Sequence, residues 1–336
     1  MTSDAIPRWY RRLACFAVAW LLVVYFLGAN VTSTKSGDAI PTWPWGWVGE
    51  SAPEWIELWH RFGVGLSLPV ALALAFGATF AWPADPAGGT PLGAAATARM
   101  FSTRPGWAAP GLRKLAWWSA ALVLVQAGLG GVRVLLGAED EGAASVTAMK
   151  VVHATVAQIY FVLAVALAAR TAKWWDERPE RPLDDTGLSL LRGGLLTVVA
   201  LLVQSFLGAL GRHDVLPREV HLVAAIPAIL LAARLVLVAS QETPKDLDLV
   251  RTPAGGFGFV LAVQLVLGIS AYIVSMEAPD PLKRDVSQVV TLNLHLVLGA
   301  AMTGLALLIL LRAARIWGLP TDERIAEARR SAEAAS

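Results

Sequence analysis

The chain has 336 residues, of which 56% are hydrophobic and only 16% are charged. A soluble protein of this length rarely has so apolar a composition, so the sequence predicts an integral membrane protein. The formal net charge is +2, and no compact basic patch with interleaved aromatic residues is present. Nucleic acid is therefore excluded as an expected partner.

Eight apolar segments are long enough to cross a membrane. A helix rises 1.5 Å per residue and needs about 20 apolar residues to cross roughly 30 Å of hydrocarbon. The sequence thus predicts an all-α integral membrane protein in contact with lipid. Its predicted spans lie near residues 12–30, 58–82, 115–136, 149–170, 190–210, 219–239, 255–275 and 290–312.

The distribution of basic residues predicts the orientation of these spans. An even number of spans places both termini on one side of the membrane. That side, together with the loops after spans two, four and six, carries 20 of the 28 Lys and Arg residues. Because cytoplasmic segments are enriched in Lys and Arg, we expect both termini to be cytoplasmic and the protein to lie in the inner (plasma) membrane.

A short motif recurs at the same level of every odd-numbered span. It reads VYFLG at residues 24–28, QAGLG at 126–130, QSFLG at 204–208 and QLVLG at 264–268. Each even-numbered span then opens close to a histidine: His60, His153, His221 and His295. The pattern indicates either four repeated helix pairs or two pseudo-symmetric four-helix bundles, residues 1–180 and 181–320, followed by a cytoplasmic tail, residues 321–336.

The repeated spacing inside this motif suggests roles for its glycine and glutamine. Glycine has no side chain, so it allows a neighbouring helix or a flat ligand to approach closely. The glutamines are expected to form hydrogen bonds between helices; they are Gln126, Gln204 and Gln264.

Four of the five histidines occupy equivalent points of the repeat. An ionisable residue inside a span is a functional hypothesis by default. Two imidazoles on facing helices suit the two axial positions of a haem iron, and the apolar faces of a porphyrin fit between spans. We predict that His60 pairs with His153 and His221 with His295, near the outer face. Zinc is disfavoured, because no Cys, Asp or Glu lies beside them at ligand spacing.

The two predicted sites differ three positions before each histidine. These positions hold Glu57, Lys150, Arg218 and Leu292 in chain order. A half-buried carboxylate can give or take a proton near neutral pH, so we expect Glu57 to act as an acid or base. The alternative is a carboxylate that only favours the start of its helix through the helix dipole. The fifth histidine, His213, is expected to be a solvated loop residue.

Two segments carry a resemblance to a known family. PEWIELWHR, residues 53–61, resembles the Glu-x-x-His-Arg signature of the haem A synthase family. GANVTSTKSGDAIPTWPWG, residues 28–46, is similar to the outer loop that follows span one in that family. The likeness covers roughly residues 12–312. Lys35 and Thr42 stand where that loop usually has glycine and aspartate, and Cys15 is the only cysteine, so the cysteine pair of some members is absent.

The resemblance implies an eight-helix membrane oxidoreductase that serves terminal oxidase biogenesis. It would oxidise a methyl group of haem O to the formyl group of haem A through a hydroxymethyl intermediate. His60 and His153 would hold the haem O substrate, with Glu57 as the catalytic residue. His221 and His295 would ligate the iron of a haem b cofactor. Possible partners are haem O synthase and an electron donor or acceptor.

Two other functions fit the same histidines. A di-haem b-type membrane cytochrome would relay electrons and would give Glu57 no special task. A non-catalytic haem carrier would bind and release pigment without changing it.

Overall fold

The structure is a computed structural model that describes residues 6–44, 46, 49, 51–80, 110–139, 143–175, 179–326 and 330. These residues form eight long helices and no β-strand. The helices are α1 (Arg8–Ser33), α2 (Ala52–Thr79), α3 (Pro110–Glu139), α4 (Ala144–Thr171), α5 (Asp185–Arg212), α6 (Arg218–Leu237), α7 (Asp248–Glu277) and α8 (Val286–Trp317). A short π-helical turn, Val238–Glu242, continues α6.

Each of the eight helices is long and apolar enough to cross a membrane. The prediction of an all-α protein with eight spans is therefore confirmed. Several helices extend beyond the predicted apolar run because they begin in polar sequence. The start of α8 illustrates this: the Asp285 side chain accepts from Gln288 N at 2.9 Å, and the Gln288 side chain accepts from Asp285 N at 3.1 Å. This capping box satisfies backbone groups ahead of the apolar run.

The helices pack as two rings of four. In the first ring, α1 contacts α2, α2 contacts α3, α3 contacts α4, and α4 returns to α1. Helices α5 to α8 repeat this order. The rings meet where α8 packs on α1 and α4 and where α5 packs on α4. Consequently α2 and α4 are diagonal members of one ring, and α6 and α8 are diagonal members of the other. Of the predicted tail, residues 322–326 form one short helical segment.

One cluster of buried apolar side chains fills the end of the bundle that holds the start of α1. Its largest members are Tyr10, Phe161, Phe257 and Trp317. In every helix the cluster stops before the repeated motif or the repeated histidine is reached. This cluster thus lies at one end of the bundle, and the repeated residues lie towards the other.

Candidate functional site

The four repeated histidines are half-buried, and each faces the motif glycine of the preceding helix. A Cβ atom placed on that glycine would lie within 3.3 Å of the imidazole Cε1, closer than ordinary van der Waals contact. These glycines therefore make room for the imidazole side chains. The distances are 2.9 Å for Gly28 and His60, 3.3 Å for Gly130 and His153, 3.0 Å for Gly208 and His221, and 3.3 Å for Gly268 and His295.

The motif glutamines bind the same histidines through their backbone. In each case the glutamine Nε2 donates to the histidine carbonyl oxygen, which confirms the expected interhelical hydrogen bonds. The pairs are Gln126 to His153 at 2.9 Å, Gln204 to His221 at 2.7 Å and Gln264 to His295 at 2.9 Å. Helix α1 has valine at this position, and there the Val24 carbonyl interacts with the His60 ring.

The structure brings His221 and His295 together across the second ring. Their imidazole centroids are 6.3 Å apart and their planes lie at 88° to each other. One metal ion bound by both imidazoles would place their centroids roughly 6 Å apart, which is the sum of two metal–nitrogen bonds of about 2 Å and the half-width of each imidazole. The Nδ1 atom of His221 lies 3.1 Å from the Gln204 carbonyl oxygen. His221 Nε2 also lies 3.4 Å from Gln204 Nε2, and His295 Nδ1 lies 3.0 Å from Gln264 Nε2. With the proton on Nδ1, His221 Nε2 carries the lone pair that a metal would bind, and a metal there would replace the contact with Gln204.

His60 and His153 occupy the corresponding positions on diagonal helices of the first ring. They are close enough to interact electrostatically. The Nδ1 atom of each is buried and makes no hydrogen bond within the described residues. An unpaired buried nitrogen costs free energy, so native proteins usually supply it with a partner. Backbone carbonyls interact with both imidazoles, that of Val24 with His60 and that of Gln126 with His153, so Nε2 is the nitrogen of each that an external ligand could bind.

The donor set fits an iron porphyrin better than a bare metal ion. Among the described residues, no group of three or more His, Cys, Asp or Glu side chains could hold a metal ion together. A zinc site would need three or four such ligands. A haem iron needs only one or two axial protein ligands, because the porphyrin supplies the others. Paired histidines meet that requirement.

Glu57 is buried, and its carboxylate is bound on both oxygens. Oε2 accepts from the backbone nitrogen of Ile40 at 2.9 Å. Oε1 accepts from Arg61 Nη2 at 2.6 Å and from Arg61 Nε at 3.2 Å. Arg61 in turn donates to the carbonyl oxygens of Ile40 at 2.7 Å and of Thr42. Glu57 therefore ties the loop after α1 to the helix that carries His60.

A second tether holds this loop, residues 34–44, against α3. Arg133 Nη2 pairs with Asp38 Oδ1 at 2.7 Å, and both side chains are largely shielded from solvent. Lys35 has a φ of 51°, a backbone region that favours glycine. The loop is thus fixed between α2 and α3, beside the first histidine pair.

A buried polar junction connects the two rings. Arg212 Nη2, at the end of α5, donates to Ser33 Oγ at 2.7 Å and to the Ala29 carbonyl at 3.1 Å. The Asn293 amide nitrogen of α8 also lies 2.8 Å from Ser33 Oγ. Asn293 is two residues before His295, so the junction lies at the level of the histidine pairs.

Arg212 lies near His295 of the second pair, and Arg284 lies near both Arg212 and Asp280. Arg212 interacts electrostatically with both His295 and Arg284. Within the part of the chain that the structure describes, no carboxylate forms a salt bridge with Arg212 or Arg284. An anionic group could be accommodated beside them.

His213 is half-buried, in contrast to the solvated residue expected from the sequence. Burial, together with the nearby cations Arg212, Lys150 and Arg133, lowers its pKa to about 4. With this pKa, the side chain is neutral at physiological pH.

The sequence analysis predicted neither of the two ion pairs that hold the loop of residues 34–44. The spacing of Glu57 and Arg61 is i,i+4, which is a recognised signal for an ion pair on a helix. No comparable signal exists for Arg133 and Asp38, which are 95 residues apart. That contact depends on how α3 packs beside the loop.

No protein-family model matches the chain, and no curated protein matches it. Its function therefore has to be inferred from the histidine pairs and their surroundings.

Proposed function

We propose that this chain is a haem A synthase, which oxidises a methyl group of haem O to the formyl group of haem A through a hydroxymethyl intermediate. The observation that carries the proposal is the matched setting of the two histidine pairs, with a buried carboxylate, Glu57, three residues before a histidine of only one of them. Each pair lies across a four-helix ring, and each imidazole lies against a motif glycine. Two equivalent sites with unequal surroundings suit one substrate haem and one resident haem.

The fit to haem is supported by the number of ligands and their spacing. The 6.3 Å separation of the His221 and His295 rings suits one iron between them. The buried apolar cluster ends before the histidine in the even-numbered helices and before the repeated motif in the odd-numbered helices, so its side chains do not fill the level of the histidines. The apolar faces of a porphyrin suit the space between spans.

The first pair is proposed to hold the substrate. His60 and His153 would bind the iron of haem O and fix the height of the porphyrin between α2 and α4. The loop of residues 34–44 would exclude water from that side. Glu57 is the carboxylate closest in sequence to this pair, and we assign it the role of accepting protons that the methyl carbon loses as it is oxidised.

The second pair is proposed to hold haem b. His221 and His295 would hold its iron, and Arg212 and Arg284 would pair with its carboxylates. Bound haem b supplies one-electron transfer. The polar junction of Ser33, Arg212 and Asn293 would keep the two rings, and so the two haems, in a fixed relation.

The proposed location follows from the distribution of Lys and Arg. The termini would be cytoplasmic, the membrane would be the plasma membrane, and both haem sites would lie near its outer face. Haem O is insoluble, so direct transfer from haem O synthase is expected. An electron donor or acceptor would complete the reaction.

Pigment analysis after expression in a host that makes haem O but no haem A tests this function. The proposal predicts that formyl-bearing haem A appears in the extract, with the hydroxymethyl intermediate as a minor species. A His60→Ala variant should retain haem b and make no haem A. Recovery of haem b alone would favour the cytochrome, and recovery of unchanged haem O would favour the carrier; either result would contradict the synthase.

A further inference from the structure

A groove opens between α5 and α6 at the end of the helices opposite to the histidine pairs. Its volume is about 340 Å³, and its lining includes Arg192 and Gly193 of α5 and Arg234 of α6. Helix α5 begins and α6 ends at this side of the bundle. The groove faces outwards, since the side chains of Arg192 and Arg234 are exposed.

The two arginines place unbalanced positive charge at the groove. Neither forms a salt bridge within the described residues. One carboxylate, Asp185, also lines the groove. It precedes Arg192 by seven residues, or about 10 Å along a helix. A cation at this depth in a membrane protein either reaches water or pairs with an anion. Two guanidinium groups from adjacent helices suit one phosphate group.

The deeper part of the groove is apolar. Leu196 follows Arg192 by about one helical turn, and Leu231 precedes Arg234 by about one turn. Both leucines therefore lie closer to the middle of the membrane than the arginines. A Cβ atom at Gly193 would meet nothing within 4 Å. The missing side chain at Gly193 therefore leaves open space between the charged and the apolar levels.

We propose that this groove binds an anionic phospholipid of the membrane, with its phosphate between Arg192 and Arg234 and one acyl chain over Leu196 and Leu231. The order of groups along the groove, charged at the membrane surface and apolar towards its centre, matches the order in a phospholipid. Basic pockets between membrane helices are known to bind anionic headgroups in this way. The site is independent of the histidine pairs and of the function proposed for them.

Native mass spectrometry of the full-length protein, titrated with phosphatidylglycerol or phosphatidylcholine, tests the site. The parent protein should bind phosphatidylglycerol about tenfold more tightly than phosphatidylcholine, as expected for a charge-assisted contact. The double variant Arg192→Gln, Arg234→Gln should lose that preference. Lys245→Gln, an exposed cation outside the groove, should behave like the parent.

A second variant tests the apolar part without changing any charge. Gly193→Leu should fill the groove and weaken the binding of both lipids. Gly256→Leu is its matched control, because a Cβ atom there also meets nothing within 4 Å and Gly256 lies outside the groove. The proposal is overturned if the parent shows no preference for phosphatidylglycerol, or if the double arginine variant and Gly193→Leu both bind lipid like the parent.

Discussion

At the scale of single residues, the motif glycines determine where the imidazoles can lie. Each of the four leaves room for a ring that a methyl group would displace. The same glycines could be explained by close helix packing alone, and the structure shows that their nearest non-local neighbours are the histidine side chains. Ligand geometry in this protein therefore depends on residues that would touch no ligand themselves.

Adding one methyl group at the second pair should disturb haem binding. We expect Gly208→Ala to weaken haem b binding by about tenfold to a hundredfold, because the new Cβ would lie 3.0 Å from His221 Cε1. Gly193→Ala adds the same methyl to the same helix in open space and should leave the affinity unchanged. Haem titration followed by absorbance measures both, and equal affinities in the two variants would contradict the steric role of Gly208.

The burial of His213 gives a testable dependence of stability on pH. Its pKa is about 4 in the folded protein and 6.5 ordinarily. As the pH falls from 6.5 towards 4, the unfolded chain binds a proton that the folded chain does not, so folding loses stability in that window. We expect the melting temperature of His213→Asn to fall less than that of the parent over this range. Parallel curves for the two proteins would show that His213 is as solvated when folded as when unfolded.

At the scale of elements, the loop of residues 34–44 is held by two separate ion pairs. Glu57 and Arg61 hold it on α2, and Arg133 and Asp38 connect it to α3. The carboxylate proposed to accept protons thus also has a structural task. The two roles can be separated because the second tether does not involve Glu57.

Glu57→Gln should retain haem b at the second pair but lower the yield of haem A by at least about a hundredfold, the typical contribution of a general acid or base. Arg133→Gln loosens the same loop and leaves the carboxylate in place, so it should keep most of the activity. Haem A yield, normalised to bound haem b, measures both variants. Equal losses in the two would mean that Glu57 only tethers the loop, and an unchanged yield in Glu57→Gln would exclude both roles.

At the scale of the whole molecule, the spans predict which loops face each side of the membrane. Lys245, between α6 and α7, should be cytoplasmic, and Lys283, between α7 and α8, should face the outside. Both side chains are exposed. In a Cys15→Ser background, a membrane-impermeant thiol reagent should label Lys283→Cys in intact cells and Lys245→Cys only after permeabilisation. The reverse pattern would invert the topology and place the histidine pairs near the inner face.

The sequence was sufficient for the overall architecture and for the repeated residues. Runs of apolar residues predict helices because hydrocarbon requires every backbone polar group to be bonded within the span. The repeat located four histidines, four glycines and three glutamines at one level. The sequence did not predict the Asp38–Arg133 contact or the junction of Ser33, Arg212 and Asn293. Those contacts join residues far apart in the chain, and they depend on how the helices pack rather than on any local period.

The proposed function requires that two pairs of imidazoles each bind an iron porphyrin. The most direct test is the absorbance spectrum and haem content of the purified protein, compared with those of His221→Ala. The parent protein should show the low-spin spectrum of bis-histidine haem b, and the variant should lose it while retaining the helical fold. A parent protein that binds no haem, or a variant with the parent spectrum, would contradict it.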